Sequence, residues 1–129
     1  MSLKQLLVLG GTVLMSLGAP AVAQHAQEPY VQIAEIEIDP AQLEAYHAAV
    51  KEQAEAAIRL EPGVLVLYAV SQKDNPTQVR VFEVYRDTDA YRSHLEAAHF
   101  KKYKATTETM VKSLKLIQVS PIALGAQGK

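Results

Sequence analysis

Between Glu61-Pro62-Gly63 and the turn-forming stretch Lys73-Asp74-Asn75-Pro76-Thr77 lies an unbroken apolar run, Val64-Leu65-Val66-Leu67-Tyr68-Ala69-Val70. It is too short and too rich in strand formers for a helix, and it reads as a strand buried on both faces. Gln78 to Arg86 then resumes a β pattern, so the two runs form a hairpin closed by a loop of several residues. Any fold for this chain has to accommodate that pair.

The flanking segments supply the rest. Tyr30-Val31-Gln32-Ile33-Ala34-Glu35-Ile36-Glu37-Ile38 is largely alternating and is stopped by Asp39-Pro40, which marks the first strand. Asp39 can cap a helix with Pro40 at its first position, and Leu43, Tyr46, Val50, Ala54, Ala57 and Ile58 recur at helical spacing, so the first helix runs to about Leu60. Asp87 or Thr88 can cap a second helix, whose apolar face carries Tyr91, Leu95, Ala98 and later Met110, Val111 and Leu114, with a bend at Ala97-Ala98-His99. Leu114 to Val119 reads as a last short strand. The order β-α-β-β-α-β is the α+β, ferredoxin-like arrangement: an antiparallel sheet with two helices on one face. Helices on one face leave the other face of an apolar sheet bare, and a homodimer with the two sheets facing each other is its simplest cover.

Met1 to Ala23 has the form of a secretory signal peptide: Lys4, an apolar run from Leu6 to Leu17, then Ala21-Val22-Ala23 before Gln24. Gly10, Gly11, Thr12, Ser16 and Gly18 interrupt that run, which falls short of the roughly 20 residues a membrane span needs. Export to the periplasm of a Gram-negative bacterium is the expected destination. Residues 24–29 form a linker, 30–122 a single domain and 123–129 a flexible tail. Loss of Lys4 takes the formal charge from −1 to −2, which leaves no basic footprint for nucleic acid. With no cysteine, disulfides, thiolate metal sites and a cysteine nucleophile are all excluded. Neither G-x-G-x-x-G nor a P-loop is present for a nucleotide cofactor. Four scattered histidines without H-x-x-x-H spacing argue against a transition-metal site, and none is assigned.

Histidine takes and returns protons near neutral pH, so His94 and His99 are the natural bases. In an unbroken helix turning about 100° per residue the two side chains lie roughly 140° apart, so both can reach one pocket only if the helix bends between them. The alternatives are a boundary histidine at His94 and a bend-stabilising hydrogen bond at His99. Glu83, inside an apolar strand, shares a face with Val79, Val81 and Tyr85. There it either turns toward the helices, to orient His94 or bind a substrate hydroxyl, or turns away and pairs with Arg80 or Arg86. Tyr68, Tyr85, Phe82 and Phe100 could line a cleft for a flat aromatic ligand or simply form core. His25, in the linker, and His47, mid-helix, read as surface residues.

Glu83-Val84-Tyr85-Arg86-Asp87, then Ala90, His94 and His99-Phe100-Lys101, resemble the antibiotic biosynthesis monooxygenase (ABM) family over roughly Tyr30 to Val119. The resemblance implies a dimeric α+β barrel. The family includes quinol and polyketide-phenol monooxygenases that use no metal or flavin, a signalling-molecule isomerase and haem-degrading enzymes. The haem-degrading relatives rely on a tryptophan, absent here, and Lys104 stands about where their haem-ligating histidine would fall. The activity implied is thus cofactor-independent oxidation of a quinol or phenol by dioxygen. His94 or His99 would be the base, Glu83 would hold its tautomer or a second hydroxyl, and Tyr68 and Tyr85 would position the ring. An isomerase and a non-catalytic exported binding module are the alternatives, since one fold hosts several chemistries.

Overall fold

A computed structural model describes residues 28–128, so the expected signal peptide and most of the linker lie outside the described residues. Four strands, β1 (Tyr30–Ile38), β2 (Val64–Ser71), β3 (Gln78–Tyr85) and β4 (Val111–Val119), make one antiparallel sheet in the order β2-β3-β1-β4. Three helices, α1 (Leu43–Leu60), α2 (Thr88–Glu96) and α3 (Ala98–Thr107), accompany it. This is the ferredoxin-like α+β architecture. Among the described residues no helix is long and apolar enough to cross a membrane.

Period-two alternation in β1 sends Gln32, Ala34, Ile36 and Ile38 toward the helices, and all four are buried. Register places Val79, Val81, Glu83 and Tyr85 of β3 on the same face. α1 meets that face with Tyr46, Val50, Gln53 and Ala57, a stripe at helical spacing. Asp39 accepts a hydrogen bond from the Ala41 amide (3.0 Å) and opens a short 3₁₀ turn, Pro40–Gln42, that leads into α1.

Where α1 ends, Glu61-Pro62-Gly63 reverses the chain. The Glu61 amide donates to Ala57 O (2.9 Å), the Val64 amide to Glu61 O (3.0 Å) and the Arg86 amide to Gly63 O (2.8 Å), so the turn is bonded to the end of β3. Gly63 is required for space rather than for backbone freedom: a Cβ there would stand 2.6 Å from Ala90 Cβ on α2.

Three expectations need correction. β2 is an edge strand rather than one buried on both faces, because among the described residues β3 is its only partner and the helices cover it incompletely. Tyr68 and Val70 are 64% and 58% exposed. The expected second helix is two helices, since Ala97 adopts an extended conformation (ψ 140°) and serves both as C-cap of α2 and as N-cap of α3. Met110, Val111 and Leu114 are therefore not on its apolar face. The Met110 amide donates to Thr107 O (2.9 Å) in a turn that closes α3, and β4 begins at Val111 instead of Leu114.

The face away from the helices presents Ile33, Phe82, Tyr68, Val70 and Ile117, with Glu35 between Arg80 and Lys115 in register. β4 is mostly exposed on its helix-facing side as well, Leu114 and Leu116 included, because α3 packs on α1 and α2 and not over it.

The contact at Gly63 yields a prediction. Gly63→Ala forces α2 away from the turn, an overpacking change expected to cost about 1–3 kcal/mol by urea denaturation. Gly63→Ala paired with Ala90→Gly, which reopens the space, is expected to recover most of the loss.

Candidate active site

The break at Ala97 builds the site. α2 is capped by Asp87, which accepts from the Ala90 amide (2.8 Å), and its last turn carries His94. With the chain extended at Ala97, α3 sets off in a new direction and His99 in its first turn comes back toward His94, leaving the two rings 6.0 Å apart between centroids. The 140° divergence of a continuous helix does not apply. Both histidines converge on one oxygen, Glu61 Oε2: His94 Nδ1 lies 2.8 Å and His99 Nε2 2.5 Å from it. Two of the four histidines are thus gathered with a carboxylate rather than scattered.

His94 is 1% exposed, packed against Tyr85 (5.3 Å between centroids) and Phe100 (4.9 Å). Its Nε2 is 3.4 Å from Gln53 Nε2, a nitrogen that can only donate. The Glu61 carboxylate can only accept, so Nδ1 carries a proton and donates to it, which in a singly protonated ring leaves Nε2 bare beside Gln53. The carboxylate therefore holds the tautomer, the role expected of Glu83.

Glu83 faces the helices, not the outer face of the sheet where Arg80 stands. It accepts from Gln32 Nε2 (2.7 Å), its directly opposed neighbour on β1, and Tyr30 donates to Gln32 Oε1 (3.3 Å). Burial pushes its pKa above the ordinary carboxylate value, against the lowering effects of the Gln32 bond and the nearby His94. Burial and then the Glu83 charge likewise push the Tyr85 hydroxyl up.

Glu83, Tyr85, His94, Gln53, Phe100 and Tyr103 line a largely apolar cavity of about 80 Å³ between the sheet and the helices. Its exposed lining residues, Lys104, Leu114 and Leu116, mark a mouth between α3 and β4. Two polar atoms buried at this cavity, Tyr85 Oη and Gln53 Oε1, have no hydrogen-bond partner among the described residues. Tyr46 and Tyr103 instead satisfy each other, hydroxyl to hydroxyl at 2.7 Å. An apolar cleft with a few converging polar groups is the usual form of a small-molecule site.

Of the residues expected here, His94, Glu83, Tyr85 and Phe100 line the cavity, and His99 stands behind His94 on Glu61. Tyr68 and Phe82 do not reach it: they oppose each other on the outer face of the sheet, because cross-strand pairing sends both away from the helices. His47 is an exposed helix residue bonded to Ser71 Oγ (3.0 Å), and His25 lies outside the described residues. Glu61, Gln53, Gln32 and Tyr103 are additions. Gln53 had a legible signal, a polar side chain on the Tyr46, Val50, Ala57 stripe, whereas nothing local to Glu61 distinguished it.

Comparison with known proteins agrees with this architecture. The family model described as antibiotic biosynthesis monooxygenase matches residues 29–106. A Bacteroides thetaiotaomicron protein assigned to those monooxygenases is 48% identical, with 79% of this chain and 97% of that chain covered at a TM-score of 0.76. A Lactobacillus acidophilus protein assigned as a monooxygenase is 28% identical at a TM-score of 0.70, over 71% of this chain but only 44% of its own. A Pseudomonas aeruginosa protein, 24% identical over 77% of this chain and 99% of its own at a TM-score of 0.70, shares the fold. No curated protein matches. The chain belongs to the antibiotic biosynthesis monooxygenase family.

Proposed function

We propose that the protein is a cofactor-independent monooxygenase that oxidises a quinol or phenolic small molecule with dioxygen. The observation that carries this reading is a buried histidine whose Nδ1–H is fixed on Glu61 while its bare Nε2 stands on the cavity side, next to Gln53. A phenol must lose its proton before it can donate an electron to dioxygen, and a base fixed in one tautomer beside an apolar cleft serves that step.

The reaction balances without a further reagent. The phenolic proton passes to His94 Nε2, and Glu61 stabilises the imidazolium. The phenolate gives one electron to dioxygen, and the radical pair combines at a ring carbon to form a peroxide. The O–O bond then breaks: one oxygen stays as the quinone carbonyl and the other leaves as water, taking the ring hydrogen and the proton returned by His94. Glu83, protonated to a higher pH than an exposed carboxylate, and the unpartnered Tyr85 hydroxyl are placed to hold substrate oxygens. A single aromatic ring with its oxygens needs more room than about 80 Å³, so binding widens the mouth at Lys104, Leu114 and Leu116.

A second reading, an isomerase acting by proton transfer on a hydroxy-ketone, is supported by the same buried histidine and carboxyl facing one cavity. Turnover that persists without oxygen separates the two. The bare face of the sheet supports a homodimer through Ile33, Phe82, Tyr68 and Ile117, with Glu35 and the cations beside it pairing across the interface.

Oxygen uptake against a panel of hydroquinones, with neither metal nor flavin added, tests the reaction. His94→Ala is expected to lower kcat by about 10²–10⁴-fold, and Glu61→Gln by a smaller factor. Unchanged turnover in His94→Ala would sink the assignment.

Glu83 gives a pH-dependent test of stability. Because its folded-state pKa lies above the unfolded value near 4.5, its contribution to stability is present below that value and is lost as pH rises through the folded pKa. Glu83→Gln cannot ionise, so its melting temperature should match the wild type below that unfolded value and exceed it by a margin that grows as pH rises above it.

Light scattering should report a dimer for the wild type and a monomer for Phe82→Arg, which buries a charge in the proposed interface.

A further inference from the structure

A general base needs one carboxylate partner, yet Glu61 serves two histidines. Glu61 Oε2, His94 Nδ1 and His99 Nε2 lie within 4.8 Å of one another and come from three separate elements: the turn after α1, the last turn of α2 and the first turn of α3. Zinc-class ions bind imidazole nitrogen and carboxylate oxygen at about 2.0–2.2 Å, which puts two donors in a tetrahedral sphere about 3.3 Å apart. The separations from Glu61 Oε2 of 2.8 and 2.5 Å are shorter than that, so an ion would displace the two hydrogen bonds and spread the three donors by a fraction of an ångström. Side chains of Glu61 and His99 that are 14% and 15% exposed give the cluster access from the outside of the molecule, away from the cavity.

Gln53 supplies an independent observation. Its Oε1 is buried without a partner while its Nε2 makes a long 3.4 Å contact to His94 Nε2. Turning the amide by half a revolution brings Oε1 to that nitrogen, where it accepts an Nε2–H. A histidine that ligates through Nδ1 carries its proton on Nε2 and donates it to a neighbouring acceptor. The orphaned oxygen is therefore the acceptor that a metal-bound His94 requires and the metal-free tautomer leaves idle.

We propose that Glu61, His94 and His99 form a binding site for a divalent transition-metal ion of the zinc class, and that its occupation removes His94 from proton transfer. Two imidazoles and a carboxylate, with no thiolate, select Zn²⁺, Co²⁺ or Ni²⁺ over Ca²⁺ and Mg²⁺. Three protein donors leave a position for water. With Nδ1 on the ion and Nε2–H on Gln53, the ring has no lone pair facing the cavity. The binding clause stands on the cluster alone, whereas the inhibition clause rests on the monooxygenase reading.

The experiment is titration of the chelator-treated full chain with Co²⁺, followed by its visible absorption, and with Zn²⁺, followed by calorimetry and thermal melting. Saturable 1:1 binding, a raised melting temperature for the Zn²⁺ form, and loss of both in His99→Ala and in the near-isosteric Glu61→Gln are the expected results. His47→Ala, which alters an exposed histidine elsewhere, should bind as the wild type does. Absence of saturable binding, or equal binding by His99→Ala and Glu61→Gln, overturns the site. In the oxygen assay Zn²⁺ should inhibit the wild type reversibly with chelator, while His99→Ala, measured against its own metal-free rate, resists. Binding without inhibition of an active enzyme overturns the second clause. If no hydroquinone is turned over, the cobalt spectrum still decides the first, so failure of the site and failure of the monooxygenase reading are told apart.

Discussion

One carboxylate oxygen, Glu61 Oε2, ties the end of α1 to both pieces of a helix broken at Ala97. Without it, His94 would be a buried imidazole with an unanswered ring nitrogen, and α3 would lose the tether of His99 to the turn. A buried donor left unpaired costs roughly 1–3 kcal/mol, so the arrangement of α2 and α3 depends on this acceptor as much as on packing. The same contact fixes which nitrogen of His94 is bare, so helix geometry and proton chemistry come from a single interaction.

Around that tie the interior is divided. On the β2 side of the sheet's inner face, Val64, Leu67, Val79 and Val81 pack with Val50 and Ala57 as an ordinary apolar core. Toward α2 and α3 the same face changes to Gln32, Glu83 and Tyr85, and the helices answer with Gln53, His94 and Tyr103. Polar groups placed at this depth are costly unless bonded. Some are bonded to one another, as in the Tyr30, Gln32, Glu83 series, and the two left idle, Tyr85 Oη and Gln53 Oε1, are both at the cavity.

Much of the fold was legible because its signals are local. The alternation from Tyr30 to Ile38, the apolar run from Val64, the Asp39 and Asp87 caps and the Glu61-Pro62-Gly63 stop each determine an element within a few residues, and the strand order follows from their sequence. What was not legible depends on contacts across the chain. The exposure of β2 follows from its place at the sheet edge, which its composition does not encode. Phe82 was legible, since alternation from Glu83 and Tyr85 turns it to the other face; Tyr68 was not, because a bulge between Val64 and Val66 shifts the phase of β2. The bend at Ala97-Ala98-His99 was legible, but not that the chain there becomes extended and starts a separate helix, since neither Gly nor Pro announces it. Glu61, thirty-three residues before His94, could be linked to it only in three dimensions.

The turn Glu61-Pro62-Gly63 joins two demands that most proteins keep apart. Gly63 sets how closely α2 can approach, and Glu61, two positions earlier, sets what the histidines can do. A change of length there would disturb helix spacing and proton network at once, so this segment has little freedom to vary. Lys104, Leu114 and Leu116 have the opposite character: they edge the cavity mouth, are exposed, and support no part of the core. Diversification within such a scaffold is thereby channelled to the rim, where surface substitution can reshape the cavity mouth while the buried Glu61 and histidine cluster stays as it is.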